Sequence, residues 1–159
     1  MTHMVGSNKY YNIPQLYPQS EEIKTACNNG LDREIKLKEI GNQLVVYLIV
    51  RKELRMSVGK IAGQCGHAIH YLTSKYYKSG SKAEFFCERM RYWEDNDFHT
   101  KIVLAASDKE WEKLKEEYDP IIVIDAGKTE IKSGSETVIV LWPMLKDERS
   151  KILKKLQLL

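Results

Sequence analysis

Gly59-Lys-Ile-Ala-Gly-Gln-Cys-Gly-His-Ala-Ile-His-Tyr-Leu72 separates into three stripes when wound at about 3.6 residues per turn. Ile61, Cys65, Ala68 and Leu72 recur at helical spacing and form an apolar ridge suited to packing on a sheet. Gly59, Ala62, Gly63 and Gly66 form a second stripe with almost no side chain, where a bulky group can approach the backbone. Lys60, Gln64, His67 and Tyr71 form the third, with the same spacing. Each glycine costs a helix roughly 1 kcal/mol against alanine. A lysine in the first turn also faces the positive end of the helix dipole. Local stability therefore does not account for this sequence, and the third stripe is a candidate site. Taken singly, a lysine at a helix start is ordinarily a solvated charge and an inward histidine a satisfied core residue. Glycines also serve tight helix packing.

Outward from this helix, the chain alternates strands and helices. Leu44 to Val50 is a continuous apolar run rich in β-branched residues, as in a strand buried on both faces. Arg51 to Val58 reads as a loop delivering the chain to the helix, which runs to about Tyr77 before Ser79-Gly80-Ser81 breaks it. A second helix is expected from Ala83 to about Trp93, with Phe86, Met90 and Trp93 on one face. Lys101 to Ala106 reads as a strand. Ser107 or Asp108 then caps a helix through Tyr118, with Glu110 at the capping-box position. Pro120 to Ile124 and Glu136 to Trp142 are two further strands, Pro143 ends the latter, and Asp147 to Leu156 is expected to form a last amphipathic helix. The pattern predicts a layered α/β domain with four strands in a mixed sheet, the last two antiparallel.

The chain's 159 residues suit one domain with a substantial core. The domain is expected over residues 43–159, with 1–42 an irregular N-terminal extension in which Ser20 to Cys27 has the capping pattern of a short helix. A net charge of +3 allows an acidic partner without demanding one. Three cysteines, Cys27, Cys65 and Cys87, lack paired or metal-type spacing and point to free thiols in a reducing compartment. No apolar run approaches the ~20 residues that span a bilayer, and residues 1–20 lack a secretory pattern. These features place the protein in the cytoplasm, with mitochondrial association open for a eukaryotic source, and away from membranes.

The second informative stretch is Asp125-Ala-Gly-Lys-Thr-Glu-Ile-Lys-Ser-Gly-Ser-Glu-Thr137. It starts at the carboxyl end of a buried strand, where open α/β sheets place their sites. Hydroxyls and backbone amides in a glycine-containing loop, with Lys128 and Lys132 alongside, suit a phosphate or a ribose hydroxyl. The plain alternative is a polar turn in which Asp125 and Ser135 bond their own backbone.

Gly-Lys-x-Ala-x-Gln-x-x-His after a buried strand, paired with Asp-Ala-Gly-x-Thr-x-Ile-x-x-Gly-Ser-x-Thr-Val opening the last strand, resembles the type II peptidyl-tRNA hydrolase family of archaea and eukaryotes. The resemblance spans about Gln43 to Leu159. It implies a three-layer α/β/α domain around a mixed four-stranded sheet. It also implies hydrolysis of the ester joining an N-blocked peptide to the terminal ribose of tRNA, with peptidyl-tRNA as partner and no metal or other cofactor. It leaves a homodimer open, the exposed part of the Trp93 helix being the suggested contact. The implied site residues are Lys60, Gln64 and His67 on the helix, with Asp125, Thr129 and Ser135 in the loop. Gly63 would admit the substrate to the helix backbone, and Lys128 and Lys132 would meet phosphates. Ester cleavage needs an activated water, a stabilised oxyanion and a proton for the leaving hydroxyl. Asp125 or His67 suits the first task, with Asp125 preferred, and Lys60 suits the second or the holding of a phosphate.

Three departures mark this chain. Val58 stands where the family commonly has a basic residue, and Val140-Leu141-Trp142-Pro143 replaces a glycine-rich strand end. Tyr118-Asp119-Pro120 makes an abrupt join before the third strand. Two other function classes compete: a non-hydrolytic family member that binds RNA or protein, and a hydrolase for another ester. The absence of a Gly-x-Ser-x-Gly sequence argues against a serine nucleophile on a strand-to-helix turn.

Overall fold

A strand covered on both faces has no polar side to alternate, and the run from Leu44 behaves accordingly. Strand β1, Val46–Arg51, has its first five residues buried. The computed structural model describes residues 41–79, 84–96 and 99–159. The expected helix at 20–27, Cys27 and the side chains of Phe86 and Cys87 lie outside the described residues.

From β1 the chain passes through a short 3-10 turn, Lys52–Leu54, into helix α1, Val58–Ser79, and then helix α2, Glu84–Glu94. Strand β2, Lys101–Ala106, follows, then helix α3, Asp108–Tyr118, strand β3, Ile121–Ile124, and strand β4, Glu136–Val140. The two crossovers β1-α1-α2-β2 and β2-α3-β3 leave β1, β2 and β3 parallel, whereas β4 runs antiparallel to both β1 and β3. The carboxyl ends of the three parallel strands, Arg51, Ala106 and Ile124, therefore share one edge with Glu136 at the start of β4.

Successive residues of a strand face opposite sides. Glu136 accepts a hydrogen bond from Trp111 Nε1 of α3 at 3.0 Å, whereas Thr137 donates to Gln64 Oε1 of α1 at 2.6 Å. This alternation puts α1 and α3 on opposite faces and makes the three expected layers. Ala68 and Leu72 of the apolar ridge are fully buried, and Ile61 and Cys65 pack half-buried at its margin. Met90 and Trp93 of α2 are buried beside them. Cys65 is a free thiol, which burial pushes up from the ordinary thiol range.

The sheet corrects the expected strand count. Gln157–Leu158 form a fifth strand, β5, antiparallel to β2, and the order is β3-β4-β1-β2-β5. The helix expected over Asp147 to Leu156 is instead two 3-10 turns, Lys146–Glu148 and Leu153–Lys155. Tertiary partners outbid helical propensity in this segment. Glu148 turns inward to Arg89 of α2, with two bonds of 2.6 Å, and also accepts Leu145 N–H at 2.8 Å. Ser150 N–H donates to Tyr118 Oη at 2.8 Å, and Leu153 is buried. The ladder of β4 stops at Val140, short of Trp142, but Leu141 to Leu145 stay buried and Met144 exchanges backbone bonds with Val45. No helix among the described residues is long and apolar enough to cross a membrane.

The α3 start matches the sequence reading. Ser107 accepts Glu110 N–H at 3.4 Å and donates its hydroxyl to the Glu110 carboxylate at 2.7 Å, while its backbone N–H donates there at 2.8 Å. These bonds hold the Glu110 carboxyl below the ordinary range. Ser107→Ala is expected to cost about 1 kcal/mol. Urea denaturation measures it, and an unchanged midpoint would show that the cap is dispensable.

Candidate active site

Helix α1 needs an N-terminal cap, and Ser57 provides one by accepting Lys60 N–H on Oγ at 3.3 Å. The first turn of α1 contains no acidic residue to meet the dipole. That charge arrives from the distant loop. Glu130 accepts Ser57 N–H at 2.8 Å and takes a second bond from the Ser57 hydroxyl. These bonds, the hydroxyl first, hold the Glu130 carboxyl below its usual range. The clasp lays the 125–135 loop against the start of α1.

The loop holds its own shape through Asp125. Gly134 N–H donates to the Asp125 carbonyl at 2.8 Å, and Asp125 N–H donates to Ser135 O at 2.9 Å. Gly127 N–H donates to Asp125 Oδ1 at 2.7 Å, the local turn that sequence reasoning kept open. Gly127 has φ of +72° and a Cβ there would lie 2.5 Å from Ser133 N, so no larger residue fits.

With Oδ1 engaged locally, Oδ2 faces α1. Lys60 Nζ donates to it at 2.5 Å and Gln64 Nε2 at 2.8 Å. Lys60 Nζ also donates to Thr129 Oγ1 at 2.9 Å. Residues i and i+4 of α1 thus converge on one carboxylate at the carboxyl end of β3. Asp125 is 6% exposed, yet its carboxyl is held below the ordinary range, first by the Lys60 ammonium and then by the Gly127 amide. An ionised acid, an ammonium, an amide and a hydroxyl in mutual contact can orient a water and receive developing negative charge.

A family model described as Peptidyl-tRNA hydrolase PTH2 matches residues 44–159. The chain belongs to the type II peptidyl-tRNA hydrolase family. It is 35% identical over 133 residues to the "Probable peptidyl-tRNA hydrolase 2" of Dictyostelium discoideum, covering 80% of this chain and 60% of that protein. It is 33% identical over 118 residues to the "Peptidyl-tRNA hydrolase" of Methanococcus vannielii, covering 70% of this chain and 96% of that one. It is 29% identical over 149 residues to the human "Peptidyl-tRNA hydrolase 2, mitochondrial", covering 90% of this chain and 78% of that one.

Of the site residues that the peptidyl-tRNA hydrolase resemblance implied, Lys60, Gln64, Asp125 and Thr129 come together. Ser135 stands apart in its bonding, donating its hydroxyl to Lys132 O at 2.7 Å within the loop. His67 is exposed and stacks on Tyr71, with ring centroids 6.5 Å apart. Lys128 and Lys132 are exposed on either side of Glu130. The glycine stripe does not pack on protein: a Cβ added at Gly59, Gly63 or Gly66 meets nothing within 4 Å among the described residues. Val58 is also exposed, at the same end of α1.

Sequence reasoning gave no role to Ser57 or Glu130, and counted Thr137 only among the loop hydroxyls suited to a phosphate or ribose. Ser57, three residues before Lys60, was open to reading as a cap. Glu130 was not, because its partner lies 73 residues away. Thr137 is wholly buried beneath Gln64, a place that only the packing of α1 on β4 defines.

Proposed function

We propose that the chain hydrolyses the ester of N-blocked peptidyl-tRNA, freeing tRNA and peptide. The observation that carries this reading is the convergence of Lys60, Gln64 and Thr129 around the ionised Asp125. An ammonium has three protons. Two are committed to Asp125 and Thr129, and the third is available to the ester carbonyl oxygen or the terminal phosphate. Asp125 holds the attacking water, takes its proton as the new C–O bond forms, and returns it to the ribose oxygen as the ester C–O bond breaks. Gln64 and Thr129 orient the water and ribose, with Ser135 nearby in the loop.

A carboxylate so well supplied with donors is a weak base, far from the near-neutral optimum for proton transfer. Its strength changes during the reaction. As Lys60 turns to the forming oxyanion, its hold on Asp125 weakens and the carboxylate gains proton affinity. His67, exposed and stacked on Tyr71, is better placed to contact substrate than to act as the base. The open stripe at Gly59, Gly63 and Gly66 supports a path for the ester and adenosine along the backbone of α1. No cofactor enters this scheme. Pairing of two copies through the outer side of α2 would make a polar contact, with Arg91 exposed on the helix and Asp95 exposed just past its end.

The experiment is release of tRNA from diacetyl-lysyl-tRNA by the parent and by Lys60→Ala. Release by the parent, slowed roughly 10²–10³-fold in the variant, is expected for loss of an oxyanion donor. Retained tRNA binding without release by the parent would establish the non-hydrolytic alternative. Turnover of small esters with no preference for tRNA would establish the other.

Binding should also weaken steeply with salt. Each phosphate contact contributes about −0.7 to −0.9 to the slope of log K against log salt. The Lys128→Ala/Lys132→Ala pair is expected to flatten that slope by about 1.4 to 1.8. A salt-independent affinity would rule out tRNA as the ligand.

A further inference from the structure

We infer that Thr137 is a positioning residue for the reaction: its hydroxyl locks the Gln64 amide so that the nitrogen, and not the oxygen, faces Asp125. The inference rests on the hydrolase reading above and extends it to a residue beneath the site.

Three buried groups stand in line. Thr137 Oγ1 lies 2.6 Å from Gln64 Oε1, and Gln64 Nε2 lies 2.8 Å from Asp125 Oδ2. Thr137 is fully buried and Gln64 is 4% exposed, so water cannot replace a lost partner cheaply. Thr137 Oγ1 also lies 3.1 Å from Val123 O. A threonine hydroxyl has one proton and must choose between these two acceptors.

The carboxylate makes the choice. An ionised Asp125 Oδ2 has no proton, so the Gln64 atom beside it must be the donating nitrogen. The amide oxygen then faces Thr137 and requires a donor. Were the hydroxyl proton aimed at Val123 O instead, lone pairs on Thr137 Oγ1 and Gln64 Oε1 would oppose each other at 2.6 Å. The chain of donors therefore runs in one direction, from hydroxyl to amide to carboxylate. Its terminal donor, with Lys60 and the Gly127 amide, keeps Asp125 ionised.

Without the hydroxyl the amide is held from one side only, by the Asp125 carboxylate, and its oxygen is left buried with no donor. A half-turn about the last side-chain torsion would aim its oxygen at the carboxylate and remove a donor from Asp125. Thr137 reaches this position because β4 alternates: Glu136 faces Trp111 on one side of the sheet and Thr137 faces α1 on the other.

The test compares Thr137→Val, nearly isosteric but without the hydroxyl, with Thr137→Ser, which keeps it. Single-turnover release from diacetyl-lysyl-tRNA is followed across pH. Thr137→Val is expected to slow release about 10-fold to 100-fold at neutral pH, as for a small misplacement of a reacting group. Its acid limb should move to higher pH, with tRNA affinity unchanged, and Thr137→Ser should restore both. In a Gln64→Ala background Thr137→Val should add no further loss, since the effect travels through Gln64. A folded Thr137→Val with the parent's rate and acid limb would overturn the inference. So would an equal slowing in the Gln64→Ala background. Should Thr137→Val not fold, Thr137→Ala carries the same comparison. NMR titration of the Asp125 carboxyl reads the coupling without turnover: the Thr137 variants lacking the hydroxyl should titrate at higher pH than the parent. A parent that releases no tRNA but shows this coupling would defeat the hydrolase reading alone. An unshifted titration would defeat the inference alone.

Discussion

Asp125→Asn is expected to slow tRNA release roughly 10²–10⁴-fold, the usual contribution of a positioned proton-transfer group. The substitution keeps the side chain's size and its turn bond to Gly127, but removes the charge that draws in Lys60 at 2.5 Å. Lys60 would retain Thr129 as a partner, so the ammonium stays near the site while the base is gone. Single-turnover release separates this loss from binding, and a rate near that of the parent would refute Asp125 as the base.

The pH dependence has a definite sign. The Lys60 ammonium, then the Gly127 amide, hold the Asp125 carboxyl below its ordinary range, so the base is ionised at every pH above that range. The acid limb of kcat/KM in the parent should therefore lie below the usual carboxylate region. A group with a depressed folded-state pKa contributes stability above its unfolded pKa, and that stability is lost as pH falls through the folded value. The asparagine variant should lack this acid-side loss. Urea midpoints measured through the acid range distinguish the two proteins.

Arg89→Met is expected to cost about 3–5 kcal/mol, the loss typical of a buried ion pair with one partner removed. Arg89 on α2 and Glu148 after β4 form a bidentate pair whose side chains are each 4% exposed. The pair ties the C-terminal segment to the helical layer, with Glu148 also accepting Leu145 N–H. Removing the guanidinium strands a carboxylate in a place that water does not reach. For a chain of this size, about 2–4 °C per kcal/mol converts the loss to a fall of about 6–20 °C in Tm. The double variant Arg89→Met/Glu148→Leu should recover much of that loss, because an apolar pair carries no stranded charge. If the single variant melts with the parent, the pair is energetically idle.

Local rules carried the sequence reading a long way. Lys101 to Ala106 is a strand with the expected limits, and Ser107 with Glu110 makes the expected capping box, because both depend on neighbours within a few residues. The antiparallel pairing of β3 and β4 followed from an eleven-residue connection, 125–135, with no helix in it. The C-terminal segment defeated the same approach. Its periodicity reads as a helix, but Arg89, Tyr118 and the free edge of β2 compete for it, and the tertiary bonds prevail.

The sequence by itself determined the layered α/β class, the antiparallel pairing of β3 with β4, and two motifs rich in catalytic side-chain types. It determined this much because hydrophobic period, caps and turn residues act over a turn or a strand. Only the tertiary structure decided which motif residues meet. It seats Lys60 and Gln64 on Asp125, separated by 65 and 61 residues, and leaves His67 exposed on Tyr71. It supplies α1 with its acidic partner from Glu130 and places Thr137 beneath Gln64. Those choices depend on how α1 packs across β3 and β4, and distance along the chain carries no record of that packing.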